Sequence, residues 1–339
     1  MTDGVAGTVR AGEWWHYKLV PILAAFVATL VMLREPVAGA WPEAVALLVA
    51  IAAGAVFVSL LNDVTDVDED RRAGKANRMA GRPAAFRVAA LSLPVAIGLL
   101  FLFLWRDEPA LAGAYLAAWI SFTLYSVPPF RLKVRGLPGV LADACGAHLF
   151  PTLVATLVAF DAAGRPVDPL WIAAGGAWAL GYGVRGILWH QLSDRENDRA
   201  AGVRTFAQRH SPRLAVWIGL LLACPLEASG LAVLLWRSGT LLPLWLLGAY
   251  LLLVLWRVHS WKMTPVIVAP KPDYLILMHE YYDVFFPLSL LIASSLRHPQ
   301  DLWVLAAYLA LFPKRPLHTF GDIGRLIRLF YWDMRYPNR

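Results

Sequence analysis

Apolar runs of about 20 residues leave a chain few ways to fold, because a bilayer core about 30 Å thick asks for helices of that length. Stretches 22–33, 45–61 and 241–255 carry no charged side chain. Continuous apolarity, rather than strict alternation, selects helices over barrel strands, and a helix satisfies all its own backbone groups in lipid. The wider composition agrees. Hydrophobic residues make up 58% of the 339 and charged residues 16%, against about 45–50% and about 25% in soluble domains. The expected fold class is all-α, a polytopic transmembrane helical bundle.

Spans are predicted over 14–33, 41–61, 84–105, 109–127, 140–160, 169–190, 213–236, 242–258 and 274–296, with a short tenth apolar run at 302–312. Residues 1–10 lack the basic start, brief apolar core and small-residue cleavage site of a signal peptide, so the run from Trp14 is read as a retained helix. Residues 1–312 are read as one transmembrane domain and 313–339 as a basic amphipathic tail. Within the tail, Ile323, Leu326, Ile327 and Phe330 recur at helical spacing.

Basic residues orient the bundle. With the amino terminus in the cytoplasm, 25 of the 31 Lys and Arg fall on the cytoplasmic side and five on the other. This reading puts an integral protein in the inner, cytoplasmic membrane, with its long loops in the cytoplasm. It also accounts for the net charge of +7 through anionic headgroups or a polyanionic substrate, without nucleic acid. The two cysteines, Cys145 and Cys224, lie in apolar segments and make neither a disulfide framework nor a zinc site.

Two acidic motifs stand at predicted helix ends. Asn62-Asp63-x-x-Asp66-x-x-x-Asp70 and His190-Gln191-x-x-Asp194-x-x-x-Asp198 share one spacing, and each is followed by Arg, Ala and Gly. On a helix, positions i, i+3 and i+7 share a face. Asp63, Asp66 and Asp70 are therefore expected on one stripe, and Gln191, Asp194 and Asp198 on another. Stacked carboxylates repel unless a cation lies between them. Hard oxygen ligands suit Mg²⁺, which takes one or two carboxylates plus substrate phosphate. Two such stripes can hold a diphosphate and neutralise the charge on leaving pyrophosphate. Solvated acidic loops are the bland alternative, disfavoured because ionisable residues at membrane depth are costly. A cation transporter is another, disfavoured by motifs at helix ends rather than mid-membrane.

Cations accompany the acids. Arg71, Arg72, Lys75, Arg78 and Arg82 follow the first motif, and Arg195, Arg199 and Arg204 lie in or after the second. Pro128-Pro129 ends the fourth span after Tyr125, with Arg131, Lys133 and Arg135 just beyond. Each of these cations is equally readable as ordinary surface charge. Asp143, His148, Arg185, Glu280 and Asp283 are open between cavity lining and helix–helix hydrogen bonding, and Glu227 is read as too far from the motifs for chemistry.

The first motif resembles the first signature of the UbiA superfamily of intramembrane prenyltransferases. Asn77-Arg78 with Gly81 resembles the segment that follows it, and Tyr125-Ser-x-Pro-Pro-x-x-Leu-Lys133-x-x-Gly136 a segment of chlorophyll synthase-like members. Asp194-Arg-Glu-Asn-Asp198-x-x-x-Gly202-x-x-Thr205 resembles the second signature. The resemblance implies nine helices around a central cavity that opens sideways to lipid, and Mg²⁺-dependent prenyl transfer. It implies Asp63, Asp66, Asp70, Asp194 and Asp198 on Mg²⁺. Asn62, Gln191, Arg78, Lys133 and Arg199 would bind the diphosphate, and Tyr125 would stand in the catalytic group. The donor would be a prenyl diphosphate and the acceptor an aromatic or other polar lipid precursor. Three departures mark a divergent branch: Gln191 where the family has Asp, Met79-Ala80 after Arg78, and the residues beyond 300. They keep other outcomes open: a terpene cyclase, a phosphoribosyl-type transferase using polyprenyl phosphate, or a non-catalytic transporter of anionic lipids.

Overall fold

The computed structural model describes residues 11–335. Residues 1–10, on which the signal-peptide reading falls, and the last four residues of the tail lie outside the described residues. A helical turn, Ala11–Trp14, leads into α1 (Leu19–Leu33). There follow α2 (Trp41–Thr65), the short α3 (Val67–Arg72), α4 (Ala84–Leu104), α5 (Pro109–Ser126) and α6 (Leu137–Ala162). Next come α7 (Pro169–Ser193), the short α8 (Arg195–Ala201), α9 (Pro212–Arg237) and α10 (Leu242–Trp261). Two three-residue strands, β1 (Thr264–Val266) and β2 (Tyr274–Ile276), pair in parallel with Thr264 opposite Tyr274. A π turn, Tyr281–Phe285, then runs into α11 (Phe286–Arg297), and α12 (Leu302–Leu311) and α13 (Lys314–Arg335) end the chain. Among the described residues, five helices, α2, α4, α6, α9 and α10, are long and apolar enough to cross a membrane.

The span predicted over 274–296 is corrected at its start. Residues 274–276 are the strand β2, and the π turn begins at Tyr281. Pro270 and Pro272 precede that stretch, Asp273 and Met278 bracket it at φ 47° and 73°, and its pairing with β1 keeps it extended.

Close packing and a few buried polar links hold the bundle. At Gly230 on α9, a Cβ would stand 2.4 Å from the Trp178 nitrogen and 2.5 Å from the Ala174 oxygen, so only glycine lets α9 and α7 approach so closely. The Trp171 indole donates to Thr29 Oγ1 at 2.9 Å, joining α7 to α1. The Tyr115 hydroxyl donates to the Ala50 carbonyl at 3.1 Å, joining α5 to α2.

Arg185 and Glu227, which sequence reading leaves apart, form a buried two-pronged pair at 2.5 and 2.7 Å between α7 and α9. Arg185 also donates to the carbonyls of Ile267 and Leu277 at 3.1 Å, and the Tyr282 hydroxyl donates to Glu227 at 2.7 Å. One guanidinium thus moors the β1–β2 segment to the bundle.

The chain end folds back onto the bundle. Buried Asp301 accepts from the Val37 and Ala38 amides at 3.0 and 2.8 Å, at the end away from the motifs. From there α12, about 15 Å long by its ten residues, returns the chain to the end where α1 begins. There the Trp15 indole donates to the Leu311 carbonyl at 2.9 Å. α13 therefore lies at the motif end. Arg315 pairs with Asp283 at 2.8 Å, Arg257 with Asp322 at 2.8 Å and with Glu280, and Thr319 donates to Glu280 at 2.5 Å.

Candidate active site

The two acidic motifs do not form straight stripes. α2 stops at Thr65, and Asp66 takes φ −109° and ψ 8° before α3 starts at Val67. α7 stops at Ser193, and Asp194 takes φ −90° and ψ 6° before α8 starts at Arg195. The middle aspartate of each motif is thus a bend, at the same place in both copies. Helical bonding continues around it: the Asp70 amide donates to Asp66 at 2.8 Å and the Asp198 amide to Asp194 at 2.9 Å. The bend turns the third carboxylate of each motif relative to the first.

Each short helix then ends on a glycine in the left-handed region, Gly74 at φ 67° and Gly202 at φ 74°. The third carboxylate accepts a hydrogen bond from the residue seven positions on. Asn77 Nδ2 donates to Asp70 at 2.7 Å, and Thr205 Oγ1 to Asp198 at 3.0 Å. Asn77 Nδ2 also reaches the Asp63 carbonyl at 2.8 Å, while its Oδ1 accepts from the Met79 and Ala80 amides. This holds Arg78 beside the motif.

Cations lie on the acids. Asp63 is fully buried, and Arg78 stands 3.7 Å from it. Asp66 takes Lys133 and, at 3.2 Å, Arg131; Glu69 takes Arg131 at 2.8 Å and Lys133 at 3.5 Å. Lys75, from the loop after the first motif, pairs with Asp194 of the second at 3.0 Å and ties the two together. Burial pushes the Asp198 carboxyl above the usual carboxylate range; the Thr205 hydrogen bond opposes this and the Asp194 charge adds to it.

Most of the residues predicted for the site come together here, with two qualifications. Asn62 accepts from Ser126 Oγ at 2.5 Å, and Tyr125 lies near enough to Asp66, Asp143 and Asp198 to feel their charge. Gln191 is buried, its Oε1 accepting from the Ala207 amide at 3.3 Å and its Nε2 finding no hydrogen-bond partner among the described residues. Arg199 is exposed, and no ion pair joins it to either motif among the described residues. It lies on the outward side of α8, where side chains turn to solvent. Sequence reading counts Lys75 and Arg131 among the surface cations and passes over Glu69, Ser126 and the capping role of Asn77 and Thr205. The common offset of Asn77 and Thr205 from Asp70 and Asp198 is the signal that finds that role.

An apolar cavity lies between α1, α2, α5 and α6. Ile22, Ile51, Gly54, Phe57, Tyr115, Trp119, Phe122 and Val154 line it, and Lys18 is its charged lining residue. Ser59 also lines it, one helical turn before Asp63, so the cavity leads along α2 to the first motif.

Divalent cations fit this arrangement. Six carboxylates (Asp63, Asp66, Glu69, Asp70, Asp194, Asp198) face four cations (Lys75, Arg78, Arg131, Lys133), which leaves the cluster net negative. A polyanion enters such a cluster only with added positive charge. No three His, Cys, Asp or Glu side chains among the described residues already converge as a closed metal cage. Mg²⁺ by its usual chemistry takes one or two carboxylates and completes its shell with water and phosphate oxygens.

Comparison with known proteins points the same way. A model of the UbiA prenyltransferase family matches residues 19–266. A UbiA homolog from Archaeoglobus fulgidus bound to Cd²⁺ is 17% identical with a TM-score of 0.57, over 86% of this chain and 98% of that one. Another structure of a UbiA homolog from that organism is 18% identical with a TM-score of 0.53, over 88% and 98%. At these identities the likeness is one of fold. Comparison with curated proteins gave no match.

Proposed function

Since the chain belongs to the UbiA prenyltransferase family, we propose that it moves a prenyl group from an isoprenoid diphosphate to a membrane-dissolved acceptor, releasing pyrophosphate. The observation that carries this is the apolar cavity along α2, whose lining ends at Ser59, one helical turn before the first of two acidic motifs flanked by cations. The tail of the donor lies in the cavity and its diphosphate among the motifs.

Asp63, Asp66, Asp70, Asp194 and Asp198 would hold Mg²⁺, with Asn62 and Gln191 as neutral oxygen donors. When bound, Mg²⁺ supplies positive charge to the phosphate oxygens of the leaving group. Arg78, Arg131 and Lys133 stand beside the same carboxylates and turn their charge to the diphosphate as it enters. Lys75 keeps the two motifs at a fixed separation. Phe57, Trp119 and Phe122 in the cavity wall exclude water from the allylic carbon and offer ring faces to its cationic character. The acceptor, an aromatic or polar lipid precursor, attacks that carbon. Residues 1–312 are assigned to the transferase domain and 313–339 to a tail, whose helix Lys314–Arg335 docks back on it. The basic loops support a cytoplasmic site in the inner membrane.

The test is Mg²⁺-dependent pyrophosphate release by the protein in nanodiscs. Geranyl, farnesyl and geranylgeranyl diphosphate serve as donors, with and without a membrane lipid extract. Release that needs the extract is expected. Release without it identifies a cyclase, and no release from any of the three overturns the prenyl-donor reading.

Cavity size sets which tail fits. A Cβ at Gly54 meets no atom within 4 Å, so that position opens into free space. Gly54→Phe is expected to lower the rate with geranylgeranyl relative to geranyl diphosphate by on the order of tenfold or more. An unchanged ratio would remove the tail from this cavity.

A further inference from the structure

Away from the acidic motifs, α13 carries a basic and aromatic groove. Two of its arginines, Arg325 and Arg328, face this open groove together with Leu329, Trp332 and Trp261. Trp261 is the last residue of α10, a helix long and apolar enough to cross the membrane, so the groove lies at the depth where that helix leaves the hydrocarbon. Arg325 stands over the Trp261 ring at 5.8 Å and pairs with Asp322, a carboxylate it shares with Arg257. Arg328 bonds to the Gly324 carbonyl at 3.3 Å and to no carboxylate among the described residues. The groove therefore carries surplus positive charge. It is also held in place, because Arg315–Asp283 and Arg257–Asp322 pin α13 to the bundle from its other face.

We propose that this groove binds the headgroup of an anionic glycerophospholipid. The phosphodiester oxygens accept from Arg328 and Arg325, the indoles sit at headgroup depth, and the acyl chains lie on apolar side chains beside the groove. Leu329 and Trp332, on the groove's own face of α13, are 43% and 60% exposed. Those apolar faces separate a lipid from a free phosphate: a phosphate gains nothing from them, whereas acyl chains bury them. Tryptophan at the end of a span and arginine beside it are the side chains that favour this depth and this charge.

The test measures lipid retained by the full-length protein in native mass spectrometry. The protein is first held in nanodiscs of equal phosphatidylglycerol and phosphatidylcholine. Wild type is expected to keep phosphatidylglycerol preferentially, and Arg328→Gln to lower that preference roughly fivefold, about the effect of one arginine near an anionic surface. Arg328 makes no buried ion pair, so this variant should match the wild type in melting temperature and pyrophosphate release. Arg325→Gln added to it should lower the preference further. Millimolar inorganic phosphate should not displace the lipid. No preference in wild type, an unchanged preference in Arg328→Gln, or displacement by phosphate would each overturn the proposal.

Discussion

Replacing Asp66 or Asp198 by Asn is expected to lower Mg²⁺-dependent pyrophosphate release by on the order of 100- to 1000-fold, the usual effect of deleting one element of preorganised charge stabilisation. Each substitution keeps shape and hydrogen-bonding oxygen while deleting one charge. Asp66 stands at the bend of the first motif, under Lys133 and Arg131. With Asn there, the two cations would still attract the diphosphate, but one of the anionic ligands proposed for the metal would be gone. Asp198 holds the matching place in the second motif to Asp70 and is tied to Thr205. The loss should fall mainly on kcat and should ease as Mg²⁺ is raised, because a missing ligand weakens the metal more than the fold. Asp68→Asn is the control. Its carboxylate reaches Arg71 in solvent, with both side chains about three-quarters exposed, and the change should stay within about threefold, as for exposed pairs generally. Rates of Asp66→Asn and Asp198→Asn near wild type at limiting Mg²⁺ would sink the metal–diphosphate assignment.

Replacing Arg185 by Met is expected to destabilise the folded protein by about 3–5 kcal/mol, because it strands the Glu227 carboxylate among α7, α9 and Tyr282. The β1–β2 segment also loses its two carbonyl anchors at Ile267 and Leu277. Removing both partners in Arg185→Met/Glu227→Leu should recover much of the loss, since a buried pair swapped for apolar groups is often near neutral. Thermal unfolding in one detergent for the two single variants and the double gives the coupling. If Arg185→Met melts with the wild type, the pair is not the mooring of that segment. If the double is no better than the single, the loss came from the carbonyl anchors rather than from the stranded charge.

The two predictions rest on residues of unequal legibility. Asp66 and Asp198 declare themselves, because charge repeated at fixed spacing beside apolar runs is too costly to keep without a use. Arg185 and Glu227 do not. They lie 42 positions apart, with no local pattern joining them, and the close approach of α7 to α9 at Gly181 and Gly230 brings them together. The span predicted over 274–296 fails at its start for a related reason. Apolarity marks which residues leave water, yet two prolines and a strand partner ten residues earlier decide that 274–276 are not helical. Arg199 shows the converse: it sits inside a motif, but the turn of α8 faces it outward.

By itself the sequence determined a helical membrane bundle, two matched acid motifs at helix ends, and a basic amphipathic end segment. Each of these is written in local periodicity and charge, which act over one or two helical turns. Only the tertiary structure decided that the motifs bend at Asp66 and Asp194, that Lys75 ties one motif to the other, and that Arg131 joins Lys133 on the first. It alone placed the apolar cavity behind Ser59 and brought α13 back to the motif end of the bundle. Those facts depend on pairs far apart in the chain, whose meeting is set by helix packing and by the need of every buried charge for a partner.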